Sequence, residues 1–155
     1  MPSFNTVAIG AHNPDLHKNL RVAVGHIPVD KNDIEASFMG APNISRTRKS
    51  ALSELLNDVV AHGVRCPAKR TDLLVLPEVS IPHSWATFIT RWAKSHQIGI
   101  VCGLEHRLDN QGCAWNELLA VLPFRNQNGT KECIPVRRLK RHYSPHETFL
   151  LTNNN

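Results

Sequence analysis

The stretch TDLLVLPEVSIPHSW, residues 71–85, decides how the chain reads. Apolar residues run from Leu73 to Pro77 between polar flanks, the pattern of a short strand buried on both faces in a parallel or mixed sheet. The run ends on a carboxylate, Glu78. Pro82 then opens an amphipathic helix with Trp85, Phe88, Ile89, Trp92 and Ala93 on one stripe, ending near Gln97. A strand feeding a helix is the unit of an α/β layer, and ligands in such sheets sit outside the carboxyl ends of the strands, where Glu78 stands. A carboxylate leaving a buried strand is expected to be partly desolvated, which raises its pKa toward the range of a general base. The plainer reading is a side chain that reaches solvent or pairs with an arginine.

Working outward, LRVAVGHIPV from Leu20 is rich in Val and Ile and bounded by Gly25 and Pro28, so it reads as a first strand entering a turn. The next stretch, through Pro42, is ambiguous. Leu52, Leu55, Leu56, Val59 and Val60 mark one face of a helix over 47–62, with Gly63 as its expected C-cap. Beyond the second helix, IGIVCGL at 98–104 and NELLAVLP at 116–123 are strands, and the Asn128-Gly129 turn leads into another at 134–139. The order is strand, helix, strand, helix, strand, then strand, turn, strand. It begins as a right-handed alternating layer and ends in antiparallel neighbours, so a mixed sheet covered by helices is expected. Residues 1–18 lack sustained periodicity and read as a loose leader.

At 155 residues with 41% apolar and 20% charged side chains, the chain suits one ordinary soluble domain. No segment approaches the roughly 18 apolar residues of a membrane span, and no cationic, then apolar, leader opens the chain. A cytoplasmic location without membrane contact is the expectation. Cys66, Cys102, Cys113 and Cys133 form no CxxC pair and are expected as free thiols; the triplets Asn43-Ile-Ser45 and Asn128-Gly-Thr130 then carry no glycan. Among nine histidines, His142 and His146 have helical i, i+4 spacing, but Pro145 argues against a helix there, so neither metal nor other cofactor is expected. The charge of +5 is scattered except at VRRLKRH, 136–142. Arg137, Arg138, Lys140 and Arg141 with Tyr143 offer a nucleic-acid edge, yet an alternating strand splits those charges between two faces, and a solvated edge is favoured. Trp85, Phe88 and Trp92 read as core and not as an aromatic substrate box.

The residues that move Glu78 away from the plainer reading lie in RRLKRHYSPHE, 137–147, where Lys140 follows a strand and Glu147 comes seven residues later. Together with LRVAVGHIPV, LLVLPEVS, IGIVCGLEHR and Asn116, this set resembles the nitrilase, or carbon-nitrogen hydrolase, superfamily from Leu20 to about Leu150. The resemblance implies a four-layer α-β-β-α sandwich with a Glu-Lys-Cys triad acting on an amide or nitrile. It implies Glu78 as general base, Lys140 as the cation beside the developing oxyanion, Glu147 as a further carboxylate near the site, and a structural role for Asn116. Such chemistry needs a nucleophile, a base to deprotonate it and positive charge where the oxyanion grows.

The chain departs from that family at the nucleophile. The family's Cys lies a few dozen residues beyond the Lys, whereas 15 residues follow Lys140; Cys133 precedes it and Cys102 sits within a buried strand. The expectation is therefore a partial domain over 19–155 that lacks its C-terminal half, leaves an apolar sheet face uncovered, and has no amidase turnover alone. The small-molecule amide or nitrile is then a substrate of the complete domain, and a protein partner or a second copy covers the sheet. The alternatives are a non-catalytic interaction or regulatory module and a basic-edge nucleic-acid binder.

Overall fold

Five strands pair in one mixed sheet, in the order Val22–Val24, Leu73–Val75, Gly99–Gly103, Glu117–Arg125 and Lys131–Leu139 across it. The computed structural model describes residues 20–111, 114–145 and 147–149. The expected leader, Cys113 and His146 lie outside them. Strands β1 (Val22–Val24), β2 (Leu73–Val75) and β3 (Gly99–Gly103) are parallel, with Val24 opposite Val75 and Val75 opposite Val101. Strand β6 (Glu117–Arg125) runs antiparallel to β3, and β7 (Lys131–Leu139) returns antiparallel to β6. Between them Gly129 takes φ +75°, the left-handed conformation that the Asn-Gly turn demands. The mixed α/β fold with helix-connected parallel strands is as the sequence predicts.

Helix α1 (Lys31–Phe38) fills the ambiguous stretch; Asp30 caps it by accepting from the Asp33 N–H. Helix α2 (Arg46–Arg65) opens on Ser45, whose hydroxyl accepts from the Arg48 N–H, and ends at Cys66. Gly63 thus lies inside α2 and is not its C-cap; the helix stops only where Pro67 follows. A short 3-10 turn, His83–Trp85, leads into α3 (Ala86–His96), and Gln97 caps α3 in the left-handed conformation. The buried stripe of α3 is Ala86, Ile89, Trp92 and Ala93. Phe88 is 47% exposed and stands outside the core, because it is one residue, about 100°, out of phase with Ile89. Two-residue strands β4 (Arg107–Leu108) and β5 (Ala114–Trp115) pair with each other beside the main sheet.

Alternation along the strands makes the sheet two-faced. Leu74, Ile100, Cys102, Leu119 and Val121 are buried with Leu52 and Leu56 of α2 and Ile89 and Ala93 of α3. Each of the leucines, isoleucines and the valine among them stabilises the fold by about 1.5–3 kcal/mol relative to exposure. The other face carries Val22, Val24, Leu118, Leu122 and Val136, and among the described residues nothing buries them: Val24 is 82% exposed and Leu122 50%. No helix of the described residues is long and apolar enough to cross a membrane.

Candidate active site

After β2 the chain has to leave the sheet, because Pro77 has no N–H for a ladder bond. It does so by wrapping residues 77–81 around Gly103 at the end of β3. The Gly103 N–H donates to the Pro77 carbonyl (3.2 Å), and the Gly103 carbonyl accepts from the N–H groups of Ser80 (3.0 Å) and Ile81 (3.2 Å). A Cβ at residue 103 would stand 2.6 Å from the Glu78 Cα and 2.8 Å from the Val79 nitrogen, so only glycine permits this approach. Val79 takes φ 54°, a left-handed conformation uncommon for a β-branched residue. The result carries Glu78 past the carboxyl end of β2, where the strand pattern placed it.

Lys140 arrives from the opposite direction. Its backbone N–H donates to the Asn116 carbonyl (2.8 Å), continuing the β6–β7 ladder, and its ammonium turns toward the mouth of the sheet. There Lys140 Nζ donates to Glu78 Oε1 at 2.8 Å and to Glu147 Oε1 at 2.7 Å. The three residues singled out in the sequence therefore meet on one ammonium. Tyr143 adds a ring face 5.5 Å from that nitrogen.

Glu147 is held by a motif that spacing to Lys140 alone does not reveal. Ser144-x-x-Glu147 is a capping box: the Ser144 hydroxyl accepts from the Glu147 N–H (3.2 Å), and Glu147 Oε2 accepts from the Ser144 N–H (2.7 Å). One oxygen of Glu147 is committed to the helix start and the other to Lys140. Pro145, in the first turn, has no N–H to leave unpaired.

Electrostatics follow from this arrangement. Partial burial pulls the Lys140 ammonium down, but the hydrogen bonds it donates to Glu147 and Glu78, with their negative charge, outweigh it and hold its pKa above the ordinary lysine value. Burial raises the Glu147 carboxyl, while Lys140 and the Ser144 donors pull it below the usual carboxylate range, and they prevail. Glu78 does not show the desolvation expected from its place on a buried strand: its side chain is 57% exposed. The exposure follows from the turn at Val79, which aims residue 78 outward while Val79 and Ser80 go under.

Behind the mouth, His106 is buried and packs on the Phe38 ring at 4.2 Å. Asn116 Nδ2 lies 3.3 Å from its Nε2, and Ser37 Oγ lies 3.0 Å from its Nδ1. Asn116 donating to Nε2 leaves the ring proton on Nδ1, pointed at Ser37. Burial lowers the His106 pKa to about 4, so the ring is neutral at pH 7. Asn116 thus links the Lys140 backbone to a buried polar network.

An open cavity of about 730 Å³ lies against the site, lined by Glu78, Gly103, Asn116, Leu118, Arg138 and Lys140 among others. It opens where the uncovered sheet face meets the ends of the parallel strands. A second hollow, of about 530 Å³ and lined by Arg21, Arg70 and Asp72, contains none of the three site residues.

No described cysteine completes the set. Cys102 belongs to the core, and burial pushes its thiol up to about 12, far from the thiolate a nucleophile requires. Cys133 contacts the Thr90 carbonyl on the helix-covered side, and Cys66 is at the end of α2. All three are free thiols. Among the described residues no group of three His, Cys, Asp or Glu side chains is placed to hold a metal ion. The basic run is divided as alternation requires: Arg137 pairs with Glu117 at 3.2 Å and lies opposite Leu119, while Arg138 lies opposite Leu118 on the other face.

Compared with known proteins, the chain matches no family model, and neither a curated protein nor a solved structure matches it significantly.

Proposed function

We propose that this chain carries the base and oxyanion half of a carbon-nitrogen hydrolase site, with Glu78, Lys140 and Glu147 in those roles. The observation that carries the reading is the convergence of two carboxylates, from β2 and from the capped turn after β7, on the single ammonium of Lys140 beside an open cavity. The nucleophilic thiol comes from outside the described residues. The fold in this reading is a nitrilase-type α-β-β-α sandwich, of which the described sheet is one β layer. Its exposed Val22, Val24, Leu118, Leu122 and Val136 form the face on which a second layer packs.

In the reaction, Glu78 takes the proton of the thiol, and the thiolate attacks the carbonyl carbon of the amide. Lys140 donates to the oxygen on which negative charge develops. Collapse of the tetrahedral intermediate breaks the C–N bond, with the proton held by Glu78 passing to the departing amine. A water, deprotonated by Glu78, then hydrolyses the thioester and releases the acid and the thiol. Glu78 suits this traffic because it is accessible. Glu147 has both oxygens committed, and so serves to hold Lys140 in place and keep it charged.

The chain alone is expected to release no ammonia from simple amides. A small thiol added in excess supplies the missing nucleophile. Under this reading the chain accelerates thiolysis of an activated amide about tenfold over Glu78→Gln or Lys140→Met. Equal rates for all three proteins contradict it.

A second reading rests on the exposed face itself, which suits a binding module as well as a missing layer. Unequal rates in the thiol assay separate the two, because a binding module has no use for Glu78 as a base.

A further inference from the structure

We propose that Arg48 and Glu105 are positioning residues for Glu78, which act through the backbone of Val79 and Ser80 to hold the base against Lys140. The inference rests on the reading of Glu78 as a base for its purpose, but its geometry stands without turnover.

Arg48 projects from the first turn of α2 into the interior, and its side chain and that of Glu105 are 4% and 1% exposed. Its Nη2 donates to two successive carbonyls, Val79 at 3.1 Å and Ser80 at 3.0 Å. Successive carbonyls of an extended chain point to opposite sides, so one nitrogen reaches both only if the backbone between them turns. That turn is made at Ser80, and Val79, just before the first of these carbonyls, takes φ 54°, so the clamp grips the chain immediately after its left-handed residue. The other guanidinium nitrogen, Nη1, donates to the Asn43 carbonyl (3.3 Å) and to the Glu105 carboxylate. Glu105 closes the loop from the far side, since its backbone N–H donates to the Ile81 carbonyl (2.8 Å). Residues 79, 80 and 81 are therefore all bonded to this one pair.

Stability alone does not account for the pair. A buried ion pair is in general replaced at little or no loss by well-packed apolar side chains of similar volume, and among the described residues Arg48 Nε and Glu105 Oε2 have no hydrogen-bond partner within ordinary distance. What an apolar pair cannot do is bind two carbonyls and fix a left-handed valine. Glu78 needs that service, because the hydrogen bond to Lys140 is the only one found for its side chain among the described residues. Its place is set by the backbone on either side.

The test reads the Lys140 ammonium by side-chain NMR titration of the whole chain. Glu78→Gln lowers the Lys140 pKa by removing one of its two carboxylates. Arg48→Lys keeps the charge beside Glu105 but cannot span both carbonyls, and is expected to shift Lys140 downward as well, with Glu78→Gln adding little on top. Adding Val79→Gly to Arg48→Lys is expected to return the titration toward wild type, because glycine takes positive φ without a clamp. If Arg48→Lys lowers the melting temperature while Lys140 titrates as in wild type, or if its shift and that of Glu78→Gln simply add, the proposal is overturned. Should Arg48→Lys fail to fold, Glu105→Gln is read in its place by the same criteria. A failed thiolysis assay leaves these titrations untouched, so loss of the hydrolase reading and loss of the positioning role are told apart.

Discussion

Two clusters of cation and carboxylate flank the loop after β2, and they are built for opposite ends. Arg48 and Glu105 are sealed in the interior, with the guanidinium spread over the carbonyls of Asn43, Val79 and Ser80. Lys140, Glu78 and Glu147 stand at the mouth of the sheet, with Glu78 more than half exposed. Desolvation governs the first: removing one partner strands a charge in the core. Access governs the second, where Glu78 and Lys140 line a cavity and little stability is lost when one is altered. The charge that grips backbone lies inside, and the charges proposed to serve chemistry lie where solvent reaches them.

The largest expected effect comes from breaking the inner pair. Arg48→Met leaves Glu105 buried and unpaired and should destabilise the protein by about 3–5 kcal/mol in urea unfolding. Pairing it with Glu105→Leu should recover only the part due to the stranded charge, since the Val79 and Ser80 carbonyls stay without their donor. A loss near zero for the single variant would erase the contrast between the clusters.

Next is acid sensitivity from the network behind the outer cluster. His106 has its pKa lowered by burial to about 4, against an ordinary 6.5, so the unfolded chain binds the extra proton between those values. Stability from this group is fully present above 6.5 and is lost as pH falls toward 4, a change of roughly 3 kcal/mol. His106→Gln should flatten that part of the profile measured by unfolding at stepped pH. Glu147 acts in the same sense: its lowered pKa gives stability that is present above the unfolded value and lost as pH falls through the folded one. Lys140 acts in the opposite sense, its contribution fading as pH climbs through its raised folded value.

Smaller again, Ser144→Ala removes the capping-box hydroxyl and should lower stability by about 1 kcal/mol. It should also lower the Lys140 pKa by loosening Glu147. The smallest effect on stability is expected at Lys140→Met, about 1 kcal/mol or less, as for partly exposed ion pairs in general. The same substitution should lower the thiol-dependent rate about tenfold. A Lys140→Met variant that unfolds as readily as Arg48→Met would show that the outer cluster holds the fold and does not serve chemistry.

The sheet was legible in the sequence because its strands are short apolar runs closed by Pro, Gly or Asn, and α2 because five apolar residues keep helical phase. Helix α1 was not, since KNDIEASF has little apolar periodicity and depends on its Asp30 cap. Strands β4 and β5, at two residues each, leave no pattern to read. Gly63 misled because a glycine near a helix end is also tolerated inside one. Phe88 misled because an aromatic next to a stripe looks like part of it.

Within the site, Glu78 stood out as a carboxylate ending an apolar run, and Lys140 and Glu147 through the resemblance to carbon-nitrogen hydrolases, but their meeting on one nitrogen depends on pairing between distant strands. Arg48 does leave a signal in the sequence: it lies four residues before Leu52 and eight before Leu56, both buried, so it occupies an apolar phase of α2. A cation in phase with leucines is a marker for a buried partner. Ser144-x-x-Glu147 is equally readable as a capping box. The left-handed turn at Val79 is not, because nothing local in PEVSI asks for it; Gly103 and Arg48 impose it from elsewhere in the chain.

The central claim is that Glu78 and Glu147 share the Lys140 ammonium. The direct measurement is the pKa of that ammonium by side-chain NMR in wild type, Glu78→Gln and Glu147→Gln. The account predicts a raised value in wild type that falls in each variant. A Lys140 that titrates identically in all three would contradict it.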